Sequence, residues 1–584
     1  MRRLVVNAIL VVQILLIGTG AVGPSLSAGA ALPAPPAGDG WRVARVYVED
    51  RQHLDAVAGE LDIWEVHRQE GYVVAALTPE QERWLRVLGY RVALDAGRNA
   101  AREAAAALDP RYYYFDQQHP NSEDRHVVDL LQEINGRYPD LTELIDVGDA
   151  WMAGQPGEPH RDLWVLRVTN EDPAYGDIAE KPPFFLSAAM HAREVATTEL
   201  AIRYLLYLTD GYDGAGGYGV DPDVTWLVDQ YVAYVMVMHN PDGHVENERN
   251  TASVRRKNMD WDDGCDNPQR WGVDLNRNHS FLWGCCGGSS SHACGETYRG
   301  PSPASEPETE AFESFFTAVM EDQNGPNGDD EIAPAAPITT TGIFISLHSY
   351  ADMVLWPWGF DDYGSAPNQE GLATIGRKLA AYNGYRPTGT IWYDVDGAAD
   401  DWAYGTLGVP SFTFEVGPQG WSACSGFFPA YECIDGYAGR DFWAENGPAF
   451  LYAHRIAGSP YRTAYGPDVA DVTIGPTGHL TATLTDLRYP GDARRAIAAA
   501  EYVVADASDD VHSEPGSGTP LSPVDGTWGE LSEEAVAQLD VSQLAFDRHL
   551  ILVRAQNDEG VWGPFSAAFA SVGQRFYLPL IAKE

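Results

Sequence analysis

Two histidines and a glutamate carry the clearest chemistry in this chain. His191-Ala192-Arg193-Glu194 sets an imidazole and a carboxylate three residues apart, and a distant apolar run, Ile343-Phe344-Ile345-Ser346-Leu347, ends in His348. A catalytic zinc takes three protein ligands and keeps a fourth position open for water. His191, Glu194 and His348 would complete such a set, provided the fold brings the third to the first two.

The surrounding pattern makes that geometry reachable. Residues 184–190 (Phe-Phe-Leu-Ser-Ala-Ala-Met) read as a short buried strand ending where His191 begins. Residues 195–207 have helical apolar spacing, which places Glu194 in the first turn of a helix. Residues 343–347 read as a second buried strand. Both ligand sets then lie at carboxyl ends of strands, where open α/β sheets bind small molecules. Strand-like runs at 163–168, 184–190, 232–238 and 343–347 alternate with helical stretches, so the fold class expected for 109–460 is α/β with a doubly wound, mixed sheet. Taken alone, His-x-x-Glu more often marks an ordinary helix-start glutamate beside an unrelated histidine. The other motifs decide.

Composition narrows the classes. The 584 residues suggest several domains, and 45% hydrophobic content is ample for a large core. With 39 basic against 84 acidic residues the net charge is −45, which argues against nucleic-acid or anionic-membrane partners. Residues 1–30 combine Arg2-Arg3, an apolar run to about Ile17 and small residues through Ala30. That is the layout of a signal peptide, and the run is too short and interrupted for a membrane span. The expectation is a secreted protein with no membrane span in its mature form. Six cysteines are compatible with disulfides in that compartment. Cys424 and Cys433 close a short loop; among the clustered Cys265, Cys285, Cys286 and Cys294, pairing 265 with 294 and 285 with 286 is one option, and a cysteine zinc site is the competing one.

The flanks differ in texture from 109–460. Residues 41–95 show a compact α+β pattern, with Thr78-Pro79-Glu80-Gln81 as a capping box that opens a helix. Residues 97–108 are Ala-rich, carry Arg98 and Arg102, and read as an exposed linker open to proteolysis. These belong to a module and linker spanning 31–108. Residues 465–575 alternate with period two and carry turn signals, as a β-sandwich does. The apolar tail 576–584 is either a sorting segment or a last strand.

Several separated motifs, in order, carry a resemblance: His191-Ala-Arg-Glu194, Asn240-Pro-Asp-Gly243, Arg256-Lys257-Asn258, Gly272-Val-Asp-Leu-Asn276-Arg277, Glu296-Thr-Tyr-Arg, His348-Ser-Tyr350, Tyr393 and Phe412-Thr-Phe-Glu415. Over most of 110–455 the chain resembles the zinc carboxypeptidases of the funnelin type, in particular their secreted bacterial members. The resemblance implies one zinc ion on His191, Glu194 and His348, and Glu415 as the general base that later protonates the leaving amine. It makes Arg256 the cation beside the oxyanion, a role that transition-state charge requires; by spacing alone, Arg255-Arg256-Lys257 is equally a solvated basic patch. Asn276 and Arg277 match the pair that binds a C-terminal carboxylate, for which a planar guanidinium is suited. Tyr393 matches the tyrosine that closes over the bound terminus. Arg193, Ser349 and Tyr350 match further substrate contacts, while Ser253 stands where the family often has an arginine.

Asp400 matches the floor of the specificity pocket, and Gly359 a small residue there. An acidic floor favours C-terminal Lys or Arg with apolar ends tolerated; the structural alternative is that Asp400 caps a helix starting at Asp401. Resemblance also makes 41–95 a ferredoxin-like propeptide over the active site, an accessory or chaperone domain being the alternative. The expected activity is removal of single residues from peptide or protein C-termini. The rivals are a zinc peptidase acting on cell-wall peptides near diaminopimelate, and an inactive relative that binds peptides or glycans.

Overall fold

The computed structural model describes residues 40–103, 108–115, 125–214, 220–325, 331–360, 364–389, 391–505, 514–545 and 547–572. The expected leader (1–30) and tail (576–584), and residues 31–39 of the expected 31–108 module, lie outside them.

An eight-stranded sheet forms the centre. From edge to edge it runs Arg386–Thr388, Met353–Leu355, Ser411–Glu415, Ile343–His348, Pro183–Ser187, Val232–Met236, Asp162–Val168 and Thr142–Asp149. The four central strands are parallel, with antiparallel neighbours outward, so the sheet is mixed. Every residue of Ile343–His348, Pro183–Ser187 and Val232–Met236 is buried. Strands covered on both faces read as continuous apolar runs, not alternating ones. Register does the positioning: Glu415 pairs with His348 and Ser187 with Ser346.

Two local expectations need correction. The strand expected over 184–190 ends at Ser187, because Ala189 turns to φ 52° and Ala188 to Glu194 form a loop. Glu194 is then the N-cap of the helix Val195–Asp213 and does not sit in its first turn. The apolar stretch signalled the helix but not the turn before it.

Residues 42–94 form a second body. Its sheet order is Asp62–His67, Tyr72–Leu77, Arg42–Tyr47, Arg91–Leu94, all antiparallel, with helices Arg51–Ala58 and Pro79–Val87 completing a β-α-β-β-α-β chain order. The capping box at Thr78 is present: Gln81 N–H donates to Thr78 Oγ1 at 3.1 Å, and Thr78 N–H to Gln81 Oε1 at 2.9 Å. The linker expected over 97–108 is helical over Ala96–Glu103, with Gly97 and Ala100 exposed. Its Arg98 is held by Glu65 Oε1 at 2.7 Å and by the Gly420 carbonyl at 3.2 Å, leaving only 12% of its side chain exposed.

Beyond residue 467, two four-stranded antiparallel sheets share one core that includes Leu480, Leu484, Ile497, Ile551 and Val553. Disulfides join Cys265–Cys294, Cys285–Cys286 and Cys424–Cys433, leaving no cysteine for a metal.

Candidate active site

The sheet register brings the three candidate ligands together. His191 Nδ1 lies 2.8 Å from Glu194 Oε1, His348 Nδ1 3.0 Å from His191 Nδ1, and His348 Nδ1 3.1 Å from Glu194 Oε2. All three side chains are buried. The outer ring nitrogens are already engaged: His191 Nε2 faces Asp274 Oδ1 at 3.1 Å and His348 Nε2 faces Ser346 Oγ at 3.0 Å. With the protons on Nε2, two Nδ1 lone pairs and a carboxylate point at one spot, which a hydrogen-bond network leaves repulsive and a divalent cation satisfies. Two imidazoles and one carboxylate are also a donor set of catalytic zinc, and the Asp274 contact is the carboxylate–histidine support such ligands ordinarily have. The residues fit one zinc ion.

Asp274 was not singled out from the sequence, although it stands inside Gly272-Val-Asp-Leu-Asn276-Arg277. It is fully buried and binds Arg256 through Nε at 2.9 Å and Nη2 at 2.8 Å. Burial by itself raises its carboxyl, but Arg256, Arg277 and His191 outweigh that and hold it well below the usual range. Arg256 Nη1 lies 3.3 Å from His191 Nδ1, so the guanidinium stands at the edge of the metal centre and is no solvated patch. Asn240, from Asn240-Pro-Asp-Gly243, supports this wall by donating to the carbonyls of Met190 and Arg256. Gly243 fits because a Cβ there would sit 2.7 Å from that of Ala192.

Glu415 closes its strand beside His348. Burial first, then the negative charge of Glu194, push its carboxyl up to about 7, near the pH at which a general base works best.

Asn276, Arg277, Tyr393 and Asp400 line the same cavity as the metal trio, together with Arg193, Ser349 and Tyr350. Asp400 lies within the first turn of the helix Ala399–Leu407, which starts two residues earlier than the capping alternative required. Its carboxylate accepts from Thr413 Oγ1 and from the Asp401 N–H, both at 3.0 Å, and burial raises its pKa. A buried carboxylate with neutral donors only is suited to a cationic guest. Gly359 lines the same cavity, and a Cβ there would come within 3.1 Å of Asp401 Oδ2. Ser349 Oγ is buried with no hydrogen-bond partner among the described residues.

Two of the expected substrate contacts are already taken. Arg193 makes a two-pronged pair with Asp62, both contacts 2.7 Å, and Tyr350 donates to Glu65 Oε1 at 3.1 Å. Ile63, Trp64, Glu65 and Val66 of the 42–94 body cover the cavity, which encloses only about 110 Å³.

Residues 127–444 match the family model for zinc carboxypeptidase. The chain is 29% identical over 376 residues to a zinc carboxypeptidase of Saccharothrix mutabilis subsp. capreolus, covering 62% of this chain and 78% of that protein. It is 25% identical over 407 residues to carboxypeptidase B of Canis lupus familiaris, covering 65% and 87% respectively. In fold it is similar to the carboxypeptidase A of Helicoverpa armigera, with a TM-score of 0.53 at 19% identity over 72% of this chain and 98% of that one. Since the matched segment is more than half of the 584 residues, the chain belongs to the zinc carboxypeptidase family.

Proposed function

We propose that this protein is a secreted zinc metallocarboxypeptidase that hydrolyses the last peptide bond of peptides and proteins, with a preference for C-terminal Lys or Arg and tolerance of apolar ends. The observation that carries the reading is the convergence, in one cavity, of His191, Glu194 and His348 with Glu415, Arg256, Asn276 and Arg277. A zinc ion held by His191, Glu194 and His348 would supply Lewis acidity to activate water and polarise the scissile carbonyl. Glu415 removes a proton from the attacking water and delivers it to the departing amine nitrogen as the C–N bond breaks. Arg256, braced by Asp274, stabilises the oxyanion. Arg277 and Asn276 take the terminal carboxylate, Tyr393 closes over it, and Asp400 pairs with the cationic side chain.

In this reading residues 1–30 are a signal peptide and 31–108 an inhibitory prodomain with its linker. The catalytic domain spans 109–460, a β-sandwich module 465–575 and an apolar tail 576–584. Occupation of Arg193 and Tyr350 by Asp62 and Glu65 supports a zymogen, because the module uses the groups a substrate needs. The test is arginine release from hippuryl-arginine before and after limited trypsin digestion, with a chelator and with zinc restored. Release that appears on digestion, stops with chelator and returns with zinc is the expected result; no release of arginine, leucine or phenylalanine from matched substrates would sink the assignment. A Glu-ended substrate outpacing the Arg-ended one would overturn the role of Asp400.

A further inference from the structure

We infer that Asp396, which contacts neither the metal ligands nor the substrate cavity, is a positioning residue that aims Arg277 at the substrate carboxylate; this rests on the carboxypeptidase reading above. Arg277 is aimed by two backbone carbonyls, with Asp274 Oδ2 a longer ion-pair contact 3.9 Å from its Nη1. Its Nε–H donates to Gly288 O at 3.0 Å and its Nη1 to Asn276 O at 2.8 Å. Among the described residues Nη2 makes no hydrogen bond, so that edge of the guanidinium is left for a ligand. The direction of the edge depends on where the Gly288 carbonyl sits.

Asp396 sets that carbonyl. Its Oδ2 accepts the N–H of Gly288 at 2.8 Å and of Cys286 at 3.2 Å, and its Oδ1 accepts the Ser289 hydroxyl. One fully buried carboxyl group thus gathers three donors from a single turn. Asp396 makes no ion pair among the described residues, so balancing a neighbouring cation is not its role. The turn has little freedom to adjust otherwise. A Cβ on Gly288 would lie 2.5 Å from Val395 Cα, and one on Gly397 would lie 2.3 Å from the Arg277 carbonyl oxygen. Gly397 has φ 70°, and its own carbonyl accepts the His279 N–H at 3.2 Å.

The same segment orients the second anchor. Ala399 N–H donates to Asn276 Oδ1 at 2.9 Å, which turns the amide so that Nδ2 is available to a carboxylate. Tyr393 precedes Asp396 by three residues and Asp400 follows it by four. A single buried carboxyl group therefore couples the segment that bears the closing tyrosine and the pocket floor to the guanidinium that holds the chain end.

The test measures kcat and KM for hippuryl-arginine in the full chain after limited digestion, for Asp396→Asn, Ser289→Ala, Arg277→Ala and the Asp396→Asn/Arg277→Ala pair. We expect Asp396→Asn to raise KM about tenfold with kcat within about twofold, the pattern of lost uniform binding. Ser289→Ala, which removes one of three donors, should raise KM about two- to threefold. On the Arg277→Ala background the Asp396→Asn change should add less than about twofold, because its effect runs through the guanidinium. An unchanged KM in Ser289→Ala and Asp396→Asn, or equal effects with and without Arg277, overturns the inference. If Asp396→Asn does not fold, Ser289→Ala decides alone. Inactive wild-type protein would instead break the carboxypeptidase reading itself.

Discussion

Two buried acidic clusters lie on either side of the segment Arg256-Lys257-Asn258, and they behave oppositely. On one side Arg256 faces Asp274 and the metal ligands, and the cations there outweigh burial and keep Asp274 ionised. On the other side Asn258 Nδ2 bridges Glu306 Oε2 at 2.7 Å and Glu308 Oε2 at 3.1 Å, beside Asp260 and Asp263. There burial, joined by mutual repulsion, raises Asp260 to about 6, Glu306 to about 7 and Glu308 to about 8. Lys257 offers little relief. Its ammonium donates to the carbonyls of Arg270, Ala293 and Gly295, and burial pushes it down to about 7. Desolvation disfavours charge in both clusters alike; the partners decide the sign of the shift. The first cluster adjoins the histidine pair, and the second is made of carboxyls alone.

The largest effect that separates the two clusters is on turnover. Glu415→Gln should lower kcat by roughly 10²–10⁴-fold, the usual contribution of a positioned acid–base group, with zinc content unchanged. Glu306→Gln should leave kcat within about threefold, since it touches neither ligand nor metal donor. Steady-state rates with zinc quantified in both variants check this. A Glu306 variant as impaired as the Glu415 one would erase the distinction.

The contrast also explains what was legible in the sequence. His191, Glu194 and His348 stand beside strands buried on both faces, whose unbroken apolar runs announce where each strand ends. Glu415 is visible for the same reason. Asp274 was missed because it follows no such run: it sits in a loop held by side-chain bonds, and its role exists only once Arg256 and His191 are folded against it. The strand Asp62–His67 is hard to read from sequence because a register shift between Ile63 and Glu65 breaks the alternation by which a half-buried strand is recognised. That strand carries Asp62 and Glu65, so although the resemblance implies a module over the active site, its particular contacts with Arg193 and Tyr350 are not readable. The Ala-rich stretch before residue 104 is exposed at Ala96, Gly97 and Ala100, but its Arg98–Glu65 pair depends on a partner that the sequence alone does not bring near.

A smaller effect tests the first cluster from its outer shell. Asp274→Asn keeps the shape but removes the charge that orients His191 and braces Arg256. Zinc affinity should fall roughly 10–100-fold, the usual cost of losing a carboxylate behind a ligating histidine. Competition against a chelator of known affinity measures this independently of turnover. Unchanged affinity would mean that Ser346 and packing alone fix the imidazoles.

The smallest effect belongs to the second cluster and concerns stability. Its carboxyls have folded-state pKa values raised above the ordinary 4.5 of glutamate, to about 7 for Glu306 and about 8 for Glu308. Between pH 4.5 and those values the folded chain binds more protons than the unfolded one, so this cluster's contribution falls as pH rises through that window and is fully present only below it. Glu306→Gln deletes one of these protonation differences and the repulsion it exerts on Glu308 and Asp260. Its amide can still accept from Asn258 and donate to Ser305, the two partners that the carboxyl has now. The variant should therefore match wild type within about 0.5 kcal/mol at pH 5 and exceed it by about 1–3 kcal/mol at pH 8, a rise in Tm of a few degrees. Thermal melts of both proteins across that range read the difference directly. A variant that loses stability equally at both pH values would show that Glu306 serves as an ionised structural anchor, and that the two clusters differ in place but not in electrostatic character.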